Sequence, residues 1–136
     1  MNFQEFLNRS ESTRNVTKKV IVGDRFKDEN GKDYAFTIKA ISINKMEEFR
    51  RQATITNSKG LFEFSAGKFN SKLAIECCKY PNFKDAKSIE ERGLHTPEEY
   101  LRDVLLPGEI EALGMAIQNA CGYNVSVNEL IETSKN

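Results

Sequence analysis

The order of apolar and polar positions first predicts a short amphipathic helix. In residues 1–10, the stretch FQEFLNR places Phe3, Phe6 and Leu7 at helical spacing. A free-standing helix of this length is marginal in water, so it must dock on the body of the protein or wait for a partner. Docking is the expectation.

A β-hairpin is predicted over residues 16–42. Residues 16–27 are rich in valine, isoleucine and phenylalanine, and residues 34–41 carry an apolar side chain at every second position. Between them, Asn30 and Gly31 can supply the positive backbone angles of a tight primed turn. The acidic residues of this turn do not fit an EF-hand, because Phe26 and Thr37 stand where ligands are needed. The alternating positions are Tyr34, Phe36, Ile38 and Ala40.

From residue 44 to residue 136 the apolar period is mainly helical. One helix is predicted over 45–54, begun by a capping box of Asn44 and Glu47, and another over 66–80, capped by Ser65 and ended by Pro81. A brief extended piece is expected at 61–64. Further helix signals are Asp85 with Gly93, Thr96 with Pro97 and Glu99, Pro107 with Gly122, and a last capping box of Ser126 and Glu129.

Together these elements predict an α+β fold, in which an N-terminal β-hairpin or small antiparallel sheet packs on a mainly α-helical C-terminal part. A chain of 136 residues buries one hydrophobic core, so residues 1–136 are expected to form a single domain. That domain is divided into the helix at 1–10, the hairpin at 16–42 and the helical part at 44–136.

Composition places the chain among globular proteins, with 39% hydrophobic and 29% charged residues. No apolar run approaches the roughly 20 residues of a membrane span, and the opening MNFQEFLNRS is not a secretory signal. Three cysteines without an export signal favour reduced thiols. The cytoplasm is therefore the expected location, without membrane association.

Charge is unevenly distributed along the chain. Residues 1–87 carry a net charge of +6 and residues 88–136 a net charge of −6. This polarity could favour self-association or an acidic partner surface, although solvated helix faces produce similar splits. Nucleic-acid binding has little support, because the basic residues of the best candidate helix, Lys45–Arg51, are diluted by Glu47 and Glu48.

No catalytic, cofactor or metal site is predicted. Cys77 and Cys78 are adjacent on the predicted helix and diverge by about 100°, so they are expected to be buried, inert thiols. Cys121 stands alone, and the sole histidine, His95, lacks a serine or cysteine nucleophile signature. The glycines form neither a phosphate loop nor a dinucleotide fingerprint. The chain is expected not to be an enzyme.

Four stretches taken together resemble the XkdN-like phage tail assembly chaperones. They are RFKDENGKDYAFTIKAIS at 25–42, YPNFKDA at 80–86, LLPGEIEAL at 105–113 and NACGYNVSVNELIETSKN from 119. The resemblance implies a non-enzymatic protein, without a metal or cofactor, that binds the tape-measure protein and keeps it soluble during tail assembly. It also implies location in the host cytoplasm, absence from the mature virion, and the tail tube protein as a further partner. A longer frameshifted form of the chain is another implied partner, although an ordinary stop codon is the expected reading of the end of the gene.

Two surfaces are candidates for client binding. A chaperone for a helical client needs exposed apolar surface with charges that keep the complex soluble. The N-terminal segment offers Phe3, Phe6 and Leu7, and the acidic C-terminal helices offer Glu98, Glu99 and Glu111. Two alternatives remain open: a tail-completion or connector protein of the virion, and a small DNA-binding regulator.

Overall fold

Six helices and five short strands make up the computed structural model, which describes residues 1–10 and 15–127. Their presence confirms the predicted α+β class. The helices are α1 (Phe3–Arg9), α2 (Ile43–Gln52), α3 (Ala66–Cys77), α4 (Ala86–Glu91), α5 (Pro97–Val104) and α6 (Pro107–Ala120). The strands are β1 (Thr17–Val20), β2 (Phe36–Lys39), β3 (Thr54–Thr56), β4 (Phe62–Phe64) and β5 (Cys78–Tyr80).

Two antiparallel sheets are present in the described residues. The first has the strand order β1-β2-β5, and the second is a hairpin of β3 and β4. Strand β2 lies at the centre of the first sheet, and its Phe36 and Ile38 side chains are buried. Ala40 is buried just beyond the strand, whereas Tyr34 is exposed, so the predicted alternating face begins at Phe36. The exposed Tyr34 corrects that prediction.

One hydrophobic core joins the first sheet to helices α2, α3, α5 and α6. Helix α3 contributes side chains along most of its length, and α6 packs against it with Leu113 and Ile117. Leu101 of α5 and Ile38 of β2 complete the best-buried part. Burial of aliphatic side chains such as these stabilises a fold by about 1.5–3 kcal/mol each.

The turn between the strands differs from the predicted primed turn. Gly31 has a φ of 79°, whereas every non-glycine residue that the structure describes, Asn30 included, has a negative φ. The Gly31 amide donates to the Asp28 carbonyl at 3.0 Å, and the Asp28 amide donates to the Lys32 carbonyl at 2.8 Å. The Asp28 carboxylate also accepts from the amides of Asn30 and Lys32. A single left-handed glycine therefore closes this loop, and the prediction for Asn30 is wrong.

Two helix boundaries also correct the prediction. Helix α2 begins at Ile43 because Ser42 caps it, accepting a hydrogen bond from the Lys45 amide at 3.3 Å, so Asn44 lies inside the helix. It ends at Gln52, where the chain turns into β3. Helix α3 ends at Cys77 rather than at residue 80, because Cys78–Tyr80 pairs with β2. Strand pairing with distant residues has overridden the local helical period.

Other predicted helix starts are confirmed. Asp85, Thr96 and Pro107 begin α4, α5 and α6 as expected, and the extended piece at 61–64 is confirmed as β4. In α6 the Glu109 carboxylate accepts from the Leu106 amide at 2.7 Å, which completes the cap. The predicted capping box of Ser126 and Glu129 extends beyond the described residues.

The N-terminal helix is not buried against the body. Asn2 caps α1 by accepting from the Glu5 amide at 2.8 Å, and no residue of the helix is buried. The side chain of Phe3 is 76% exposed, and those of Phe6 and Leu7 are exposed as well. The expectation that this helix docks on the body is therefore wrong.

A bidentate ion pair ties the loop after β1 to the start of α6. The Arg25 guanidinium donates to both carboxylate oxygens of Glu109, at 2.8 and 2.7 Å, and to the Val104 carbonyl at 2.8 Å. The hydrogen bond from Arg25 lowers the pKa of Glu109 below its ordinary value, against a smaller opposing effect of burial. Glu109 is thus held ionised by Arg25 while it caps α6.

Replacing Glu109 by glutamine is expected to make the stability of the protein less dependent on pH. A carboxyl group whose pKa is lower in the folded state stabilises the protein above its unfolded pKa, and this contribution is lost as the pH falls through the folded pKa. We expect E109Q to lower Tm by roughly 2–4 °C at pH 7 and by progressively less as the pH falls through the lowered pKa of Glu109. Thermal unfolding from pH 3 to pH 7 measures it, with E111Q as the control. An equal fall at both pH values would contradict the role of the charge.

Candidate partner-binding surface

Large apolar side chains are exposed on the β3–β4 hairpin. Phe62 is 84% exposed, Phe64 is 50% exposed, and Leu61, just before β4, is also exposed. Single exposed apolar residues are ordinary on protein surfaces, but a contiguous group marks an interaction site. Whether these side chains form one contiguous surface therefore decides whether they indicate an interaction site.

The two phenylalanines lie on the same face of the hairpin. Phe62 pairs with Thr56 and Phe64 with Thr54, whereas Glu63 points to the other face with Ile55. The first face therefore carries no charged side chain within the two strands. The Phe64 ring lies 5.5 Å from the ring of Phe69 on α3, so this face continues onto the helical body.

A groove of about 370 Å³ extends this apolar face between α3 and α6. We call it the hairpin groove. Its α6 wall carries Glu111, Met115 and Gln118, which are spaced by four and three residues and so lie along one side of the helix. The remaining lining residues are Arg50, Phe64, Ala66, Phe69 and Asn70.

Arg50 is held at the groove by two aromatic rings. Its guanidinium carbon lies 5.6 Å from the ring centre of Phe69 and 5.4 Å from that of Tyr123. Both distances are within the range of a cation–π interaction. The Tyr123 amide bonds to the Gln118 carbonyl at 3.2 Å, so Arg50 lies near the C-terminal end of α6. The hairpin groove thus has a cation near one end and the Glu111 carboxylate closer to the other.

The predicted acidic residues do not form one surface element. Glu98 and Glu99 are in the first turn of α5, where the Glu99 amide donates to the Thr96 hydroxyl at 3.1 Å. That hydroxyl donates in turn to the Glu99 carboxylate at 3.2 Å. Glu111 lies instead at the hairpin groove. Glu98 and Glu99 are at the positions of helix-capping acids, whereas Glu111 lies beside an apolar surface.

The cysteines have the properties of structural thiols. Cys77 and Cys78 are buried, as predicted, and burial raises the pKa of each thiol to about 12. A thiol with such a pKa is almost wholly protonated near neutral pH and a poor nucleophile. Cys121 is partly buried. Within residues 1–10 and 15–127, no three His, Cys, Asp or Glu side chains are grouped closely enough to hold a metal ion.

A second pocket, with a volume of about 270 Å³, lies between the start of β2, the end of β5 and helix α5. It is lined by aromatic and aliphatic side chains and has no charged residue in its wall. Its lining residues are Phe26, Tyr34, Ala35, Phe36, Tyr80, Pro81, Phe83, Tyr100, Val104 and Leu105. The polar side-chain groups of this wall are the hydroxyls of Tyr34, Tyr80 and Tyr100, so it offers mainly packing surface.

Sequence comparison decides the family. The profile of the phage XkdN-like tail assembly chaperone proteins matches residues 3–135, which is almost the whole chain. The chain belongs to this family. This match includes α1, both sheets and the remaining helices. It confirms the family resemblance that the four sequence stretches indicated.

Two relatives of this XkdN-like protein come from Bacillus subtilis strain 168. The uncharacterized protein YqbN is 31% identical over 123 residues, covering 86% of this chain and 82% of YqbN. The protein XkdN of the phage-like element PBSX is 29% identical over 124 residues, covering 87% and 83% of the two chains. The chain is thus similar to a protein of a phage-like element over most of both lengths.

A solved structure supports the fold of this XkdN-like chain. The crystal structure of YqbN aligns with a TM-score of 0.67 and 22% identity, covering 91% of this chain and 98% of that one.

None of the helices in the described residues combines the length and apolar character of a membrane span.

Sequence reasoning missed the hairpin part of the surface. It named Phe3, Phe6 and Leu7 as a candidate client-binding segment while expecting their helix to dock, and it gave Phe62 and Phe64 no role. The sequence signal for this surface was the stretch LFEF, in which one glutamate separates two phenylalanines. That pattern also describes a strand with one buried face, so it does not identify exposure.

Proposed function

We propose that this member of the XkdN-like family binds the tape-measure protein and keeps it soluble during tail assembly, without catalysing a reaction. The observation that carries the proposal is exposed apolar surface on α1 and on the β3–β4 hairpin. A holding chaperone needs such surface to compete with self-association of its client. The family supplies the setting of tail assembly.

The N-terminal helix is one part of the proposed client-binding surface. Phe3, Phe6 and Leu7 form a stripe at i, i+3 and i+4, and all three are exposed. On the other side of the helix, Gln4 donates to Asn8 at 3.4 Å. An amphipathic helix without a partner in the described structure can dock in a client groove or on a client helix.

Co-expression with the tape-measure protein encoded in the same phage or prophage tests the function. We expect the wild-type chain to increase the soluble fraction of the client severalfold and to co-purify with it. A variant with serine at Phe3, Phe6 and Leu7 is expected to lose part of this effect, because burial of each side chain contributes about 1.5–3 kcal/mol. The control variant carries serine at Gln4 and Asn8 on the polar side.

Two outcomes would overturn this assignment. If the client stays insoluble with the wild-type chain, the proposed chaperone function is wrong. If the chain is instead found at constant copy number in purified phage particles, it is a structural tail component. Unchanged client solubility with the triple-serine variant would remove α1 from the binding surface and leave the function intact.

The proposal includes where the protein acts and what else it meets. We propose that it acts in the cytoplasm of the bacterial host and is absent from the mature virion. We also propose that residues 1–136 form a single domain. The tail tube protein and a longer frameshifted form of the chain are further proposed partners. Self-association follows as a proposal from the opposite net charges of the two parts of the chain. Co-purification from infected or induced cells tests the two partners and self-association, and a search for the chain in purified particles tests its absence from the virion.

A further inference from the structure

We propose that the hairpin groove is the client-recognition site and that its occupant is an amphipathic helix of the client, with a basic residue that pairs with Glu111. This inference rests on the proposed function, because it names the surface through which the client would be held. It assigns a recognition role to Phe62, Phe64 and Met115.

The walls of the groove favour a helix as the occupant. Two packed helices form its long sides, with Ala66, Phe69 and Asn70 on α3 opposite Glu111, Met115 and Gln118 on α6. Residues 111–118 span about 10 Å, which is about two helical turns. Two side-chain rows at helical spacing form a channel into which the ridge of a third helix packs.

The apolar character of the site comes from the hairpin and Met115. Phe62 projects beyond the body, while Phe64 rests on Phe69, so apolar surface runs from the groove along the hairpin face. Met115 is 55% exposed in the middle of the α6 wall. Its flexible, polarizable thioether can adapt to different apolar side chains, as in other surfaces that bind varied helices.

The charges of the groove favour a basic residue on the client. Glu111 is exposed, and none of the ion pairs in the described residues includes it. Arg50, the other charged lining residue, is already stacked on the rings of Phe69 and Tyr123. Arg50 is exposed as well, but these rings hold it near the opposite end of the groove, so at its own end the Glu111 carboxylate selects lysine or arginine beside the apolar stripe.

Binding of tape-measure peptides tests the inference. Overlapping 20-residue peptides spanning the tape-measure protein are titrated against the full-length chain, and helix formation is followed by circular dichroism. We expect the double variant F62S/M115S to raise the apparent Kd at least tenfold. The matched control is I21S/I43S, which removes two exposed isoleucines outside the groove.

The charge is tested separately with E111K. We expect E111K to weaken peptide binding about threefold to tenfold at low salt, and less at high salt. Changing the pairing basic residue of the peptide to glutamate is expected to restore binding to E111K. The control E90K makes the same charge change at an exposed position of α4.

The outcomes separate this inference from the proposed function. If wild type binds the client and both groove variants bind as tightly as their controls, the groove assignment is overturned and the chaperone function stands. A peptide that binds as an added strand on β4 also overturns it. If no tape-measure peptide binds wild type and co-expression fails to keep the client soluble, the proposed function falls and the groove assignment falls with it.

Discussion

Replacing Phe83 by alanine is expected to lower the free energy of unfolding by about 3–5 kcal/mol. Phe83 is 1% exposed and is the largest fully buried side chain in the described residues. Its ring lies 6.2 Å from the ring of Tyr100, so it joins the segment between β5 and α4 to helix α5. Removing the ring leaves a cavity that the surrounding helices cannot fill without moving.

The matched control for this prediction is F62A. It makes the same change at a side chain that is 84% exposed, so its effect on stability is expected to stay within about 0.5 kcal/mol. Urea unfolding of both variants, with a check that the m-value is unchanged, measures the difference. A loss below about 1 kcal/mol for F83A would show that Phe83 is not a core residue in solution.

The elements that could be predicted are those whose signals are local. Thr96 caps α5, Pro97 occupies its first turn, and Glu99 returns a contact to Thr96, all within four residues. Asp85 makes a similar short-range cap at α4, whereas at α6 the predicted signal was Pro107 and the Glu109 cap was missed. Such side-chain-to-backbone bonds depend on the neighbouring sequence alone, which is why the sequence identifies them.

The elements that could not be predicted depend on distant residues. Cys78–Tyr80 continues the helical period of α3, but its backbone pairs with β2, which lies some 40 residues earlier in the chain. Phe83 lies in a stretch rich in turn-forming residues, and its burial depends on packing against Tyr100 of α5 and the rest of the core. The spacing of apolar residues within a short stretch does not show which distant residues will pair with it or bury it.

The candidate site was predicted in part for the same reason. The apolar stripe of α1 is visible in seven residues, but its exposure depends on whether another element covers it. Glu111 was grouped with Glu98 and Glu99 because all three are acidic residues of predicted helices, and only packing separates their roles. The two phenylalanines of LFEF have a proposed role only because α3 and α6 continue their surface.

Replacing Gly114 by alanine is expected to lower the free energy of unfolding by about 1–2 kcal/mol. In the interior of a helix this substitution ordinarily stabilises by about 1 kcal/mol. Here a Cβ on the buried Gly114 would lie 2.8 Å from Cγ and 3.0 Å from Cβ of Asn70, so α3 and α6 would have to move apart or Asn70 would have to change rotamer. Thermal or urea unfolding measures the loss.

The control G108A, also on α6, places its Cβ where no atom lies within 4 Å, so we expect it to be neutral or slightly stabilising. The double variant G114A/N70A should recover part of the loss, because it removes the Asn70 Cγ contact. Equal stabilities of G114A and G108A would contradict close α3–α6 packing. Asn70 also lines the hairpin groove, so a client that binds there should bind G114A more weakly, whereas a client held only by α1 should bind both glycine variants equally.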